Sequence, residues 1–106
     1  MNNLKKWLGG PLLACALITQ PVLAEQKAPV HFGDITWESG SLITEVLRLI
    51  TEKGYDVATD TLPGSTVSLE AALAKNDIQV IGEEWAGRSP VWVKAEAEGK
   101  VLGLGD

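Results

Sequence analysis

An α/β fold with a parallel sheet built from βαβ units is the architecture that this sequence of 106 residues predicts. Short apolar runs with the character of buried strands alternate with stretches in which apolar residues recur at helical spacing. The connections are short, and Gly, Pro, Ser and Asn stand at the junctions. These observations predict the order βαβαβαβ, with right-handed crossovers between parallel strands.

The first predicted strand is Val30–Ile35, which is short and largely apolar. Residues 39–41 are expected to supply the N-cap of the following helix. Lys53 and Gly54 are expected to end it, with Gly54 in the left-handed conformation that a Cβ disfavours. The apolar residues that should form its buried face are Leu42, Ile43, Val46, Leu47, Leu49 and Ile50.

The second predicted strand covers residues 55–62, where Val57, Thr59 and Thr61 are β-branched. Its aspartates make it polar, which places it near an edge of the sheet. The Pro63-Gly64 pair that follows is a turn signal.

The second helix is predicted over residues 67–75, with Ser65 or Thr66 as its cap. Asn76 is expected to close it, because Asn tolerates the left-handed conformation better than most residues. Residues 78–82 then read as a third strand.

A capping Ser89 followed by Pro90 predicts the start of a third helix, and Gly99 is expected to end it. Residues 101–104 are predicted to form a fourth strand.

Residues 1–24 are predicted to be a secretory signal peptide, with a basic start, an apolar run over 7–18 and small residues at 22–24. A membrane anchor is the alternative, although glycine and proline interrupt the apolar run. Cys15 offers a further alternative, since residues 12–15 resemble the lipobox of bacterial lipoproteins. The predicted location is the periplasm, or the membrane surface if Cys15 is lipidated.

The predicted mature chain is acidic and has no cysteine. Cleavage after Ala24 would remove Lys5 and Lys6 from the nine basic residues and none of the fourteen acidic ones, which leaves a net charge of −7. Such a charge argues against nucleic acid as a partner and is compatible with a cationic ligand. With a single histidine and no cysteine, the ligand set for zinc is missing, and no metal or other cofactor is predicted.

Two tryptophans, Trp37 and Trp85, each follow the carboxyl end of a predicted strand. Ligands bind at that edge of open α/β sheets, so both indoles should face one crevice. Trp is the best aromatic face for a cation, and Glu38 and Glu84 stand next to the two indoles in sequence. Trp37, Trp85, Glu38 and Glu84 are therefore the predicted ligand-binding residues. A packing role for each Trp is the alternative.

The order of residues resembles the substrate-binding proteins of ABC importers for quaternary ammonium compounds such as glycine betaine, choline, carnitine and proline betaine. The most specific stretches are FGDITW at 32–37, EKGYDV at 52–57, and AALAKNDI at 71–78 leading to Glu84-Trp85. Members often carry Pro soon after the second Trp, whereas residues 86–89 here read AGRS.

The resemblance implies a type 2 periplasmic-binding-protein fold, in which two α/β lobes close on the ligand. Residues 25–106 would form the N-terminal part of the first lobe, with the second lobe absent. Trp37 and Trp85 match the first-lobe tryptophans of the aromatic box. The implied partners are a small quaternary ammonium ligand and a membrane permease with its ATPase, and no enzymatic activity is implied.

Two other functions remain open on the sequence alone. A binding protein of the same fold could take an amino acid or a polyamine. A secreted carbohydrate-active enzyme could use two of the carboxylates near the indoles for acid–base catalysis. The residues available for that chemistry are Asp34, Glu38, Glu83 and Glu84.

Overall fold

The computed structural model describes residues 27–105. The predicted signal peptide and Cys15 lie outside the described residues. The elements, in chain order, are β1 Val30–Ile35, α1 Glu38–Tyr55, β2 Thr59–Gly64, α2 Thr66–Ala74, β3 Val80–Ile81 and α3 Pro90–Ala97.

The described residues form a parallel sheet of three strands in the order β2-β1-β3. The central strand β1 pairs with β2 along its whole length, from Val30 opposite Thr59 to Ile35 opposite Gly64. It pairs with β3 over two positions, beginning with Phe32 opposite Val80. The predicted α/β class with parallel βαβ units is confirmed. The carboxyl ends of β1 and β3 therefore lie at the same edge of the sheet.

The prediction of a fourth strand over residues 101–104 is wrong, because this segment has no regular structure. Leu102 and Leu104 are largely exposed. Gly103 interrupts the segment and Gly105 follows it, and glycine weakens a strand through its backbone entropy. Among residues 27–105 the order is thus βαβαβα.

The ends of α1 differ from those predicted. The helix begins at Glu38, with Trp37 at the N-cap position and no side-chain capping bond, so residues 39–41 lie inside the helix. Ser41 Oγ instead donates hydrogen bonds to Asp34 Oδ1 at 3.0 Å and to the Ile35 carbonyl at 3.1 Å. At the other end Asp56, not Gly54, takes the left-handed conformation, with φ of 53°.

The predicted burial of the apolar face of α1 is also wrong. The buried residues of this helix are Gly40 and Thr44, whereas Leu42 is 66% exposed. The helix packs closely against Gly82, where an added Cβ would lie 2.9 Å from Ile43 Cγ2. Within the described residues no strand continues the sheet beyond β3, so most of the apolar face has nothing to pack against. The exposed members are Leu42, Ile43, Val46, Leu49 and Ile50.

Strand β2 lies at an edge of the sheet, as predicted, but it is shifted towards the C-terminus. Pro63 and Gly64 belong to the strand and do not form the predicted turn. An edge strand tolerates proline, because one of its sides has no neighbouring strand and the missing proline N–H then breaks no hydrogen bond of the sheet. The helix that follows is confirmed to within one residue, and Ser65 Oγ accepts the capping bond from the Ser68 N–H.

The remaining helix ends follow local sequence rules. Asn76 has φ of 63° after α2, as predicted. Ser89 caps α3 through a bond from the Val91 N–H, and Pro90 is the first helical residue. Gly99 has φ of 69° after the helix. Among the described residues, the buried apolar side chains are Phe32, Ile35, Leu69, Ile78, Trp92 and Ala95.

Candidate functional site

The structure brings Trp37 and Trp85 together at the carboxyl edge of the sheet. Trp37 follows β1, Trp85 follows β3, and these strands are neighbours. The two ring centroids are 6.3 Å apart with planes at 67°, an edge-to-face arrangement that aromatic quadrupoles favour. Trp37 lies against α1 at Gly40, where an added Cβ would come within 3.0 Å of the Trp37 Nε1 atom. Gly40 therefore provides the room that the Trp37 indole occupies.

A cavity of about 580 Å³ opens beside the two indoles. This volume falls within the range of sites for small molecules. The walls come from both tryptophans and from the beginnings of α1, α2 and α3. The lining residues are Trp37, Ser39, Thr66, Val67, Glu70, Trp85, Arg88, Ser89 and Pro90.

Glu83 holds the N–H edge of one indole. Trp85 Nε1 donates a hydrogen bond to Glu83 Oε1 at 3.0 Å. The hydrogen bond from Trp85 is the main cause that lowers the pKa of the Glu83 carboxyl. Trp37 Nε1 has no hydrogen-bond partner within the described residues. The N–H edge of Trp85 is thus held by Glu83, and the residue lines the cavity.

A buried polar cluster adjoins the cavity, which two of its members, Glu70 and Ser89, also line. Glu70 of α2 is 1% exposed, and Ser89 Oγ donates a hydrogen bond to its Oε2 atom. The other Glu70 oxygen and both Glu84 oxygens are buried without a hydrogen-bond partner in the described part of the chain. Burial, then the neighbouring Glu70, raises the pKa of the Glu84 carboxyl to about 7. The carboxyl oxygens of Glu70 and Glu84 are all acceptors when both groups are ionised. When Glu84 is protonated, its O–H can donate a hydrogen bond to the Glu70 oxygen.

Arg88 covers part of the Trp85 ring. Its Cζ atom lies 4.5 Å from the centroid of the Trp85 ring, which is cation–π distance. The indole at position 85 therefore already binds a cationic group of the chain itself. Trp85 is nevertheless 51% exposed and lines the cavity.

The other two predicted ligand-binding residues lie elsewhere. Glu38 is exposed in the first turn of α1 and is not among the residues that line the cavity. Glu84 faces Glu70 and lines a separate groove together with the buried Trp92. The four predicted residues thus divide into an indole pair at the cavity and two glutamates outside it.

Sequence reasoning missed Glu70 and Arg88. For Glu70 the available signal was its position as the one carboxylate in the apolar stretch VSLEAALA of α2. Acidic residues are seldom buried unless they are paired, so a carboxylate among apolar helix residues indicates a special role. For Arg88 the signal was the departure from the expected Pro after the second Trp. No group of three or more side chains suited to hold a metal occurs among residues 27–105.

The family model described as the substrate-binding domain of the ABC-type glycine betaine transport system matches residues 28–106. The match covers most of the chain. The chain belongs to this family. Its fold is therefore the type 2 periplasmic-binding fold, and the sequence resemblance is confirmed at the level of the family.

Membership of the glycine betaine substrate-binding family makes the chain a substrate-binding component of an ABC importer. The family consists of extracytoplasmic binding proteins and not of enzymes, and its members work with a small ligand and a membrane permease and ATPase complex. Neither a curated protein nor a solved structure matches the chain. Of the helices in residues 27–105, none has the length and apolar character needed to cross a bilayer.

Proposed function

We propose that the chain binds a quaternary ammonium compound, such as glycine betaine or choline, through Trp37 and Trp85. The single observation that carries this proposal is the pair of indoles 6.3 Å apart on the wall of a 580 Å³ cavity. A quaternary ammonium group has no N–H to donate, so it depends on aromatic faces and on nearby negative charge. The contact of Arg88 with Trp85 supports the proposal, because the same ring already attracts a cation.

The electrostatics of the cavity also favour a cationic group. Glu70 lines the cavity and is almost fully buried. A carboxylate in such an environment interacts strongly with a nearby cation. Glu84 acts on the ligand through Glu70, because it contacts Glu70 and not the cavity. Glu38 has no part in the proposed site.

We place residues 25–106 in the N-terminal part of the first lobe of the two-lobed fold. The exposed apolar face of α1, including Leu42 and Leu49, supports this placement, because such a face is normally covered by further parts of the domain. The bound compound would be delivered to the membrane permease of an ABC importer. Export to the periplasm by the signal peptide predicted over residues 1–24 completes the proposal.

The proposal is tested by isothermal titration of the chain with glycine betaine, choline, a polyamine, a neutral amino acid and a sugar. We expect heat from the quaternary ammonium ligands alone. Replacing Trp37 or Trp85 by Ala should weaken that binding by about tenfold or more, since a desolvated cation–π contact contributes about 2 kcal/mol.

Two control variants make this experiment specific. Trp85→Phe keeps an aromatic ring and should retain more affinity than Trp85→Ala. Leu42→Ala removes an exposed apolar side chain that does not line the cavity and should bind like the parent chain. A response to sugar alone would favour the carbohydrate-active alternative. A response to the polyamine or the amino acid alone would favour another ligand on the same fold.

A further inference from the structure

A short exposed loop, residues 85–88 between β3 and α3, carries one of the two indoles of the cavity. Trp85 and Arg88 line the cavity from this loop. Gly87 has φ of 81°, and the Arg88 N–H donates a hydrogen bond to the Trp85 carbonyl at 3.4 Å, which closes a turn. Within the described residues, the hydrogen bonds of residues 85–88 stay inside residues 83–88. Polar attachment of this loop to the rest of the domain must therefore come from its two ends.

Both ends of the loop meet one buried carboxyl group, that of Glu70 in α2. Ser89 follows the loop, and its Oγ donates a hydrogen bond to Glu70 Oε2. Glu84 precedes the loop, and its carboxyl faces Glu70. Glu70 is 1% exposed and Ser89 is 8% exposed, whereas all four loop residues are exposed. A single side chain of α2 thus contacts the residue before the loop and the residue after it.

The attachment at the Glu84 end requires a proton. The second Glu70 oxygen and both Glu84 oxygens are buried and have no donor among the described residues. Two ionised carboxylates repel each other, whereas a protonated carboxyl donates a hydrogen bond to a carboxylate. Burial, then the neighbouring Glu70, raises the pKa of the Glu84 carboxyl to about 7. The Glu84 end of the loop is therefore bonded to α2 below about pH 7 and repelled from it above that pH.

The charged side chains around this pair do not replace the proton. Those that share the cavity or the neighbouring groove with the pair, or adjoin it in the chain, are Glu83, Arg88, Glu96 and Lys100. Arg88 stacks on Trp85, and Lys100 Nζ lies 2.7 Å from Glu98 Oε2. Within the described residues, neither cation donates to Glu84 or to the second Glu70 oxygen. The state of the pair therefore depends on its own proton.

We propose that Glu70 is a positioning residue for the cavity, which attaches the loop of Trp85 at both ends, through Ser89 and through a proton shared with Glu84, and so makes ligand binding depend on pH. The inference rests on the proposed binding of quaternary ammonium compounds and adds a regulation of that same site. When the proton is lost, like charges face each other directly beside Trp85 in the chain, and the loop moves away from α2. The displaced indole then forms a poorer cage. Affinity should be constant below about pH 7 and fall above it, because the ligand binds the protonated form better.

The test is isothermal titration with glycine betaine and with choline from about pH 6 to about pH 9. Neither ligand gains or loses a proton in this interval, so a change in affinity belongs to the protein. We expect the parent chain to lose about tenfold in affinity, the effect of losing one charge-assisted hydrogen bond. Glu84→Gln should keep the low-pH affinity throughout, because its amide donates to Glu70 at every pH. Glu70→Ala would empty a buried position and can unfold the chain, so the conservative Glu84→Gln is the decisive variant.

Two matched controls assign the pH dependence to Glu84. Glu38→Gln removes an exposed carboxylate that adjoins Trp37 in the chain as Glu84 adjoins Trp85. His31→Gln removes the single histidine, the side-chain type that ordinarily changes its charge near neutral pH. Both variants should show the same fall in affinity as the parent chain. Loss of the pH dependence in either one, or its persistence in Glu84→Gln, would overturn the inference.

A second measurement needs no ligand. The indole N–H signal of Trp85 in the NMR spectrum, assigned by its absence in Trp85→Phe, should shift with the titration midpoint of Glu84 and stay fixed in Glu84→Gln. A signal that does not follow the titration of Glu84 would overturn the inference, as would an affinity that is constant or rises above about pH 7. If the parent chain binds neither compound at any pH, the proposed function is refuted, and the indole signal alone decides whether Glu70 positions the loop.

Discussion

Replacing Glu84 by Gln should raise the stability of the chain at neutral and alkaline pH. The Glu84 carboxyl faces Glu70, and burial followed by this neighbour raises its pKa from 4.5 to about 7. The folded state therefore holds a proton that the unfolded chain releases above pH 4.5. Stability should consequently fall as the pH rises from about 4.5 to about 7, and stay level above that range.

The size of this effect follows from the interval between the two pKa values. One pKa unit corresponds to about 1.4 kcal/mol, so the interval from 4.5 to about 7 sets a ceiling of about 3.5 kcal/mol. Glu84 as a whole residue is only half-buried, and solvent screening reduces the expected value to about 1–2 kcal/mol. A glutamine at this position is neutral at every pH. Its amide can also donate to the Glu70 oxygen that lacks a hydrogen-bond partner in the described residues.

Urea unfolding followed by tryptophan fluorescence, from pH 4 to pH 8, measures this difference. We expect Glu84→Gln to exceed the parent chain by about 1–2 kcal/mol at pH 8 and to match it near pH 4. Glu96→Gln, at an exposed position of α3, is the control and should follow the parent curve at every pH. Carbon-13 NMR of the Glu84 carboxyl gives its titration midpoint directly. A midpoint near 4.5, or a Glu84→Gln variant less stable than the parent at pH 8, would refute the reasoning.

Three further predictions concern the scaffold, and each is measured by urea unfolding. Gly82→Ala should cost about 1–3 kcal/mol, because the new Cβ would lie 2.9 Å from Ile43 Cγ2 and 3.2 Å from Leu47 Cδ1; an unchanged midpoint would mean that α1 moves away at no cost. Ser65→Ala should cost about 1 kcal/mol through the lost N-cap of α2, and no loss would show that the cap bond is redundant. Leu42→Ser should change stability by less than about 0.5 kcal/mol, and a larger loss would mean that this side chain is covered.

Predictions from local sequence rules agree with the structure where the cause is itself local. The Ser65 and Ser89 caps depend on side chains that reach a backbone N–H two or three residues away. Asn76 takes the left-handed conformation because its short polar side chain can form hydrogen bonds with the adjacent backbone. The same rules failed at Pro63, because a turn signal yields to strand pairing when the strand lies at the edge of a sheet.

The candidate site was predictable only in part. Trp37 and Trp85 could be placed at one edge, because parallel strands direct their carboxyl ends to the same side. Adjacency in sequence was a poor guide for the glutamates. Glu84 is next to Trp85 in the chain yet contacts Glu70 of α2, and Glu38 is next to Trp37 yet is exposed in the first turn of α1. Neighbouring residues on a helix or an extended segment point in different directions, so their side chains need not share a site.

By itself, the sequence determined the family, the alternation of strands and helices, most helix caps and the two indoles at the sheet edge, because periodicity and capping act over a few residues. Only the tertiary structure decided that Glu70 is buried beside Ser89 and Glu84, that Arg88 stacks on Trp85, and that the apolar face of α1 is largely exposed. These properties depend on which elements meet in space. Their burial and electrostatics arise from contacts between residues distant in the chain, which no local pattern encodes.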